Sequence, residues 1–208
     1  MTRTTARVLR RIIGFDAQGM VSLFLWATRR RDGVPPGGVA VSYSREQTST
    51  MLLWLFAMAV ELVGVDIVLR AMDVPEPVRL AVLVLDAYGV LIGLAVLAAC
   101  ITRPHVVTPG HLRIRYGAFF DLRIPRDLIT EVRHARNFNE TGLVTVDDDR
   151  LAVAVASQTN LIVELSEPVT AIRPLGRRAQ ARTIRFFADD PRTALQALRP
   201  REEYAAEV

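Results

Sequence analysis

Two long apolar runs, 50–72 and 78–101, lie in the middle of this 208-residue chain, and each is long enough as a helix to cross a hydrocarbon core of ~30 Å. Only Asp73-Val74-Pro75-Glu76-Pro77 separates them, and so short a link with two prolines permits nothing but a tight turn. The runs are therefore expected to form an antiparallel transmembrane hairpin with both flanks on one side. The remainder divides into a basic N-terminal segment, 1–49, a water-soluble region, 102–199, and a polar tail, 200–208.

The basic charge is carried by arginine, with no lysine, which together with abundant alanine and valine fits a genome rich in G and C. Cys100, the single cysteine, falls at the end of the second run and excludes an intrachain disulfide. The first eleven residues are basic, but the apolar stretch behind them is broken by Asp16, Gln18 and Gly19. It ends in Arg29-Arg30-Arg31 without a small-residue cleavage site, unlike a signal peptide. A third span over 12–27 would send Arg3, Arg7, Arg10 and Arg11 across the membrane against the positive-inside bias. The segment reads instead as an interfacial helix with Phe15, Leu23, Phe24 and Trp26 in lipid, the alternative being a cytosolic helix docked on the soluble region. Eight arginines against three carboxylates precede the first run, whereas Arg70 and Arg79 near the turn are balanced by Asp73 and Glu76. Both termini are expected on the cytoplasmic side.

Three carboxylates interrupt the spans although each costs at least ~2.5 kcal/mol near the bilayer centre. Glu61 sits at the midpoint of the first run, and from the span midpoints Asp66 and Asp86 both lie roughly 5–8 Å toward the outer face, at nearly equal depth. At that depth they are placed to share a proton. Arg70, one turn beyond Asp66, is placed to pair with it and snorkel outward. Asp86, Gly89 and Gly93 share one helical face, on which close backbone approach is possible and a homo-oligomer contact is expected. Two readings stay open: protonated acids that glue helices together, or a proton or cation path built by several copies.

After Pro104 the pattern shifts to short alternating segments bounded by turn residues, an all-β signature. Strands are expected at 105–108, 111–116, 119–124, 129–134, 144–146, 151–156, 161–165, 169–172 and 183–187. In 111–116, Leu112, Ile114 and Tyr116 face one way and His111, Arg113 and Arg115 the other. Asp190-Pro191 starts a closing helix, 193–198, with Ala194, Leu195 and Leu198 on its apolar face. The fold class is thus α+β: a transmembrane hairpin followed by a bent β-sheet or barrel with a C-terminal capping helix.

The run from Thr108 to Val132, with its Pro109-Gly110 turn, glycine hairpin at Gly117, strand ending near Pro125 and Ile129-x-x-Val132, resembles the opening of bacterial pleckstrin-homology-like domains. The Asp190-Pro191 helix is similar to the one that caps that barrel, and the whole plan resembles actinobacterial membrane proteins with such domains. The segment 137–150 fits that pattern poorly and reads as a loop or inserted hairpin. The resemblance implies an inner-membrane interaction or scaffold module with an unknown protein partner, and supplies no catalytic residues.

Arg173, Arg177, Arg178, Arg182 and Arg185 cluster in and beside one loop, where each arginine reaching an anionic leaflet gains roughly 1 kcal/mol. No aromatics interleave with them, which argues against single-stranded nucleic acid. Asp147-Asp148-Asp149 lacks the spacing and glycine of a calcium loop and reads as a solvated turn. His105, His111 and His134 are too scattered to make a zinc site by spacing. Neither a phosphate-cradling glycine loop nor a nucleophile elbow is present, so no enzyme activity and no cofactor are expected.

Overall fold

The computed structural model describes residues 14, 17–174 and 176–199. The expectations for Arg3, Arg7, Arg10, Arg11, Phe15 and the tail 200–208 fall outside them. The chain is α+β, with two long apolar helices and two sheets. A short apolar helix, α1 (Ala17–Ala27), leads by a loop to strand β1 (Val39–Val41). The two long helices follow, α2 (Arg45–Ala71) and α3 (Glu76–Thr102), antiparallel and joined by a turn in which Asp73 takes a positive φ of 53°. Pro77 near the start of α3 costs no hydrogen bond there, which is why the second helix can begin inside the proline pair.

Both helices are long and apolar enough to cross a membrane, and only 6% and 11% of their most apolar stretches are buried within the protein. Their shared face is set by glycine. A Cβ on Gly93 would fall 2.7 Å from Leu55 Cδ2, and one on Gly89 would touch Met58. The Gly89/Gly93 face expected to meet another copy is therefore filled by α2 of the same chain. This packing and the tight turn also correct the depths expected for the acids. Residues equidistant from the turn stand level, so Asp86 is level with Glu61, which lies five residues farther from the turn than Asp66. Span midpoints misplace it because register is counted from the turn.

Strands β2 (His105–Val107), β3 (His111–Tyr116) and β4 (Phe120–Pro125) form an antiparallel meander, and β1 adds to its edge by pairing Val39 with Val107 and Val41 with His105. A strand from before the hairpin thus completes a sheet built after it. A single 3₁₀ turn (Arg126–Leu128) leads to β5 (Ile129–Asn137), β6 (Val144–Asp147), β7 (Arg150–Val153), β8 (Thr159–Ile172) and β9 (Arg178–Phe186). These form a second sheet in the order β5-β8-β9-β7-β6, with β7 and β9 parallel. The two strands expected at 161–165 and 169–172 are one, bent by a register shift between Glu164 and Val169 that lets the sheet wrap. The segment 137–150 contributes the loop and first strand of the β6–β7 hairpin, with Asp148 at positive φ in its turn.

Leu112, Ile114, Leu122 and Ile124 of the first sheet meet Leu151, Leu161, Val163, Ile184 and Phe186 of the second in one core. Helix α4 (Pro191–Leu198) closes it with Ala194 and Leu198. The Asp190 carboxylate accepts from the N–H groups of Arg192 and Thr193 at the start of α4. At its end Arg126 donates to the carbonyls of Ala197 and Leu198 at 2.9 and 2.7 Å.

Candidate functional site: the arginine-lined junction below the hairpin

The base of the hairpin is sewn into the β-domain by a buried polar seam. Tyr43, just after β1, stacks on His105 (ring centroids 4.5 Å) and on Tyr116 (5.8 Å), and its hydroxyl accepts the Gly117 N–H at 2.6 Å. The Tyr116 hydroxyl donates to Gln47 Oε1 at 2.7 Å, tying β3 to the first turns of α2. Burial holds both phenols above their ordinary pKa, so they remain neutral donors and acceptors. Gly117 takes a positive φ of 49° in the β3–β4 turn, and its Cα comes close to Cys100 and Ala99 at the end of α3.

His105 is fully enclosed. Its Nδ1 accepts the Arg115 N–H at 3.0 Å, so Nε2 carries the proton and donates to the Phe187 carbonyl at 3.0 Å. Burial first, and the Arg115 charge in addition, lower its pKa to about 3. The imidazole is therefore a neutral strut.

Arg115 itself is 2% exposed. Its Nε donates to the Pro104 carbonyl at 2.9 Å and one Nη to the Asp32 carbonyl at 2.8 Å. Its other Nη has no hydrogen-bond partner among the described residues, the Asp32 carboxylate standing 3.7 Å away. Arg103, at the C-terminal cap of α3, meets the same carboxylate at 3.4 Å, and its Nε is likewise buried without a hydrogen bond. Arg113 is matched, donating Nε to Asp121 at 2.8 Å in a two-point contact that raises its pKa. Burial, then the neighbouring Arg113 charge, lowers that of Arg115. The loop after α1 covers both guanidiniums: a Cβ on Gly33, whose φ is +63°, would fall 2.8 Å from Arg113 and 3.1 Å from Arg115. The positive φ favours glycine there, and any larger residue would also have to push the guanidinium tips aside.

These arginines and Arg173 line a cavity of about 720 Å³ between the loop after α1, the end of α3 and the β3–β4 turn. Among the described residues four guanidiniums face two carboxylates, Asp32 and Asp121, an excess of positive charge beside the end of α3. A smaller apolar cavity of about 130 Å³, between Gly19 and Met20 of α1, Ile92 to Ala99 of α3 and Phe119, adjoins it through Ala118 and Phe119.

Of the arginines expected to cluster, the structure sends Arg173 alone to this cavity. Arg177 and Arg178 are exposed at the tip of the β8–β9 hairpin, Arg182 approaches Asp149 at 3.9 Å, and Arg185 is half-buried on β9. In the hairpin, Arg70 pairs with Asp66 at 2.8 Å as expected, and Arg79 joins from α3 at 3.4 Å. Asp66 thus pairs with arginines rather than with Asp86. Glu61 is exposed and Asp86 half-buried; neither makes a hydrogen bond or ion pair among the described residues.

Sequence reasoning missed Asp32, Gly33, Tyr43, Gln47, Arg103, Arg113 and Arg115 as a unit. The alternation of 111–116 does place Arg113 and Arg115 away from the core, but what buries Arg115 is a loop from before the hairpin. The signal available was two arginines on one face of the second strand after the long apolar helix. Comparison with family models, with curated proteins and with solved structures finds no match to this chain.

Proposed function

We propose that this protein is a bacterial inner-membrane protein, both termini cytoplasmic, whose hairpin holds a pleckstrin-homology-like β-domain rigidly against the inner leaflet as an interaction or scaffold module. The observation that carries this reading is the contrast between two apolar helices left almost wholly uncovered and a hairpin base locked into a well-packed sheet domain. Uncovered apolar surface on that scale needs lipid. The exposed Met20, Phe24 and Trp26 of α1, followed by Arg29, Arg30 and Arg31 and facing Arg45 across a cleft, support an interfacial helix with anionic lipid at its flank.

The resemblance of 108–132 to pleckstrin-homology-like domains, together with two wrapped sheets closed by α4, supports a binding module rather than an enzyme. Among the described residues the nine-residue strand β5 pairs only with β8, and the part of its other edge that α4 does not cover is available to a partner strand. Glu61, exposed at mid-span, favours one further reading, a homo-oligomer that buries this acid and conducts protons or cations.

Cysteines placed at Glu76 and Glu167 test topology: the first reacts with an impermeant maleimide from outside, the second only after the membrane is opened. A photo-crosslinker at Glu131 on β5, in native membranes, captures a distinct protein if the scaffold reading holds. Self-crosslinks confined to the hairpin, with proton flux in vesicles that Glu61→Gln abolishes, would establish the channel instead.

A further inference from the structure

The arginine cavity holds more buried positive charge than its own carboxylates answer. Arg115 is enclosed and presents an Nη with no hydrogen bond, Arg103 presents a buried Nε, and Asp32 stands too far from either for a good hydrogen bond. Leaving a guanidinium so placed is costly unless an anion completes it, and planar N–H forks suit phosphate oxygens in particular. The neighbouring surface selects the kind of phosphate. Ala118 and Phe119 line both the polar cavity and the apolar slot between α1 and α3, whose own lining includes the exposed Met20 and Tyr88. A free phosphate has no use for that slot.

We propose that this junction is a binding site for one anionic phospholipid, its headgroup phosphate on Arg103, Arg113, Arg115 and Arg173 and the start of an acyl chain between α1 and α3. Charge complementarity fixes the headgroup end, and the adjoining apolar slot, which shares Ala118 and Phe119 with the polar cavity, fixes the chain end. The lipid completes the junction between membrane helix and β-domain, meeting the guanidiniums from the cavity side, opposite the loop that carries Gly33. The assignment rests on the membrane-embedded reading of the hairpin. Alkaline extraction tests that reading alone: recovery of the chain in the soluble fraction overturns it whatever the lipid does.

The full chain, purified in a neutral maltoside, is titrated with dihexanoyl phosphatidylglycerol, dihexanoyl phosphatidylcholine and glycerol phosphate, with thermal unfolding as the readout. The anionic lipid is expected to raise Tm saturably, with an apparent affinity at least about tenfold above glycerol phosphate and above the zwitterionic lipid. Arg113→Gln and Arg173→Gln each weaken it by about tenfold, and Arg177→Gln, at the exposed hairpin tip, leaves it unchanged. Arg115 is kept, because it also holds the Pro104 and Asp32 carbonyls. Equal stabilisation by both lipids, equal affinity for glycerol phosphate, or indifference to the Arg113 and Arg173 substitutions overturns the proposal.

Discussion

At each end of the hairpin one carboxylate is shared by two arginines, and the consequences are opposite. At the turn end, Asp66 serves Arg70 and Arg79, but Arg70 is 63% exposed and its guanidinium can be hydrated. At the base, Asp32 serves Arg103 and Arg115, and Arg115 is 2% exposed, so a missing partner there cannot be replaced by bulk water. The same residue types make a surface ion pair at one end and a structural keystone at the other. Burial, rather than the number of charges, separates them.

Removing the keystone should break this contrast most sharply. Arg115→Leu leaves the Pro104 and Asp32 carbonyls without their donor and is expected to destabilise the β-domain by about 2–4 kcal/mol. Urea unfolding in micelles, followed by hydrogen exchange in β2 and β3, measures it; a loss below about 0.5 kcal/mol would make the buried guanidinium dispensable. The neighbouring strut predicts a pH dependence. His105 binds its proton far less readily folded, at a pKa of about 3, than in an unfolded chain near 6.5, so its neutral contacts contribute fully above pH 6.5. Stability should then fall toward pH 3 by up to about 1.4 kcal/mol per unit from this group, and His105→Gln should flatten that slope relative to the wild type.

Smaller effects are expected where a group is shared with solvent. Asp189 accepts the Arg45 N–H at 3.1 Å and so caps α2 from the far end of the β-domain. Asp189→Ala is expected to cost about 1 kcal/mol and to quicken amide exchange in the first turn of α2. The least change is expected from Arg70→Gln, within about 0.5 kcal/mol of wild type by thermal unfolding. A drop as large as that of Arg115→Leu would mean that the turn end is as dry as the base.

Local pattern carried much of the architecture. The apolar runs, the alternating 111–116 and the Asp190-Pro191 start of α4 each follow from neighbours within a few residues, and the structure forms helices, strand and cap at those places. What stayed hidden depends on residues far apart in the chain. The pairing of Val39 with Val107 spans the whole hairpin, as does the stacking of Tyr43 on His105, and no periodicity records either. Gly93 was legible as a notch, but not that Leu55 of its own chain fills it. The arginine cavity was illegible for the same reason: Asp32 and Gly33 reach Arg113 and Arg115 across some eighty residues.

Asp189 and Asp190 are consecutive, yet one caps α2 and the next caps α4. Asn160 grips the residue before them at both its N–H and its carbonyl, so this short stretch has no slack. The hairpin and the β-domain are consequently fixed to each other like a blade on its shaft. A rotation of α2 about its own long axis would swing α4 and β5 through the same angle, so that a turn of the apolar hairpin reappears as a change of heading of the two sheets.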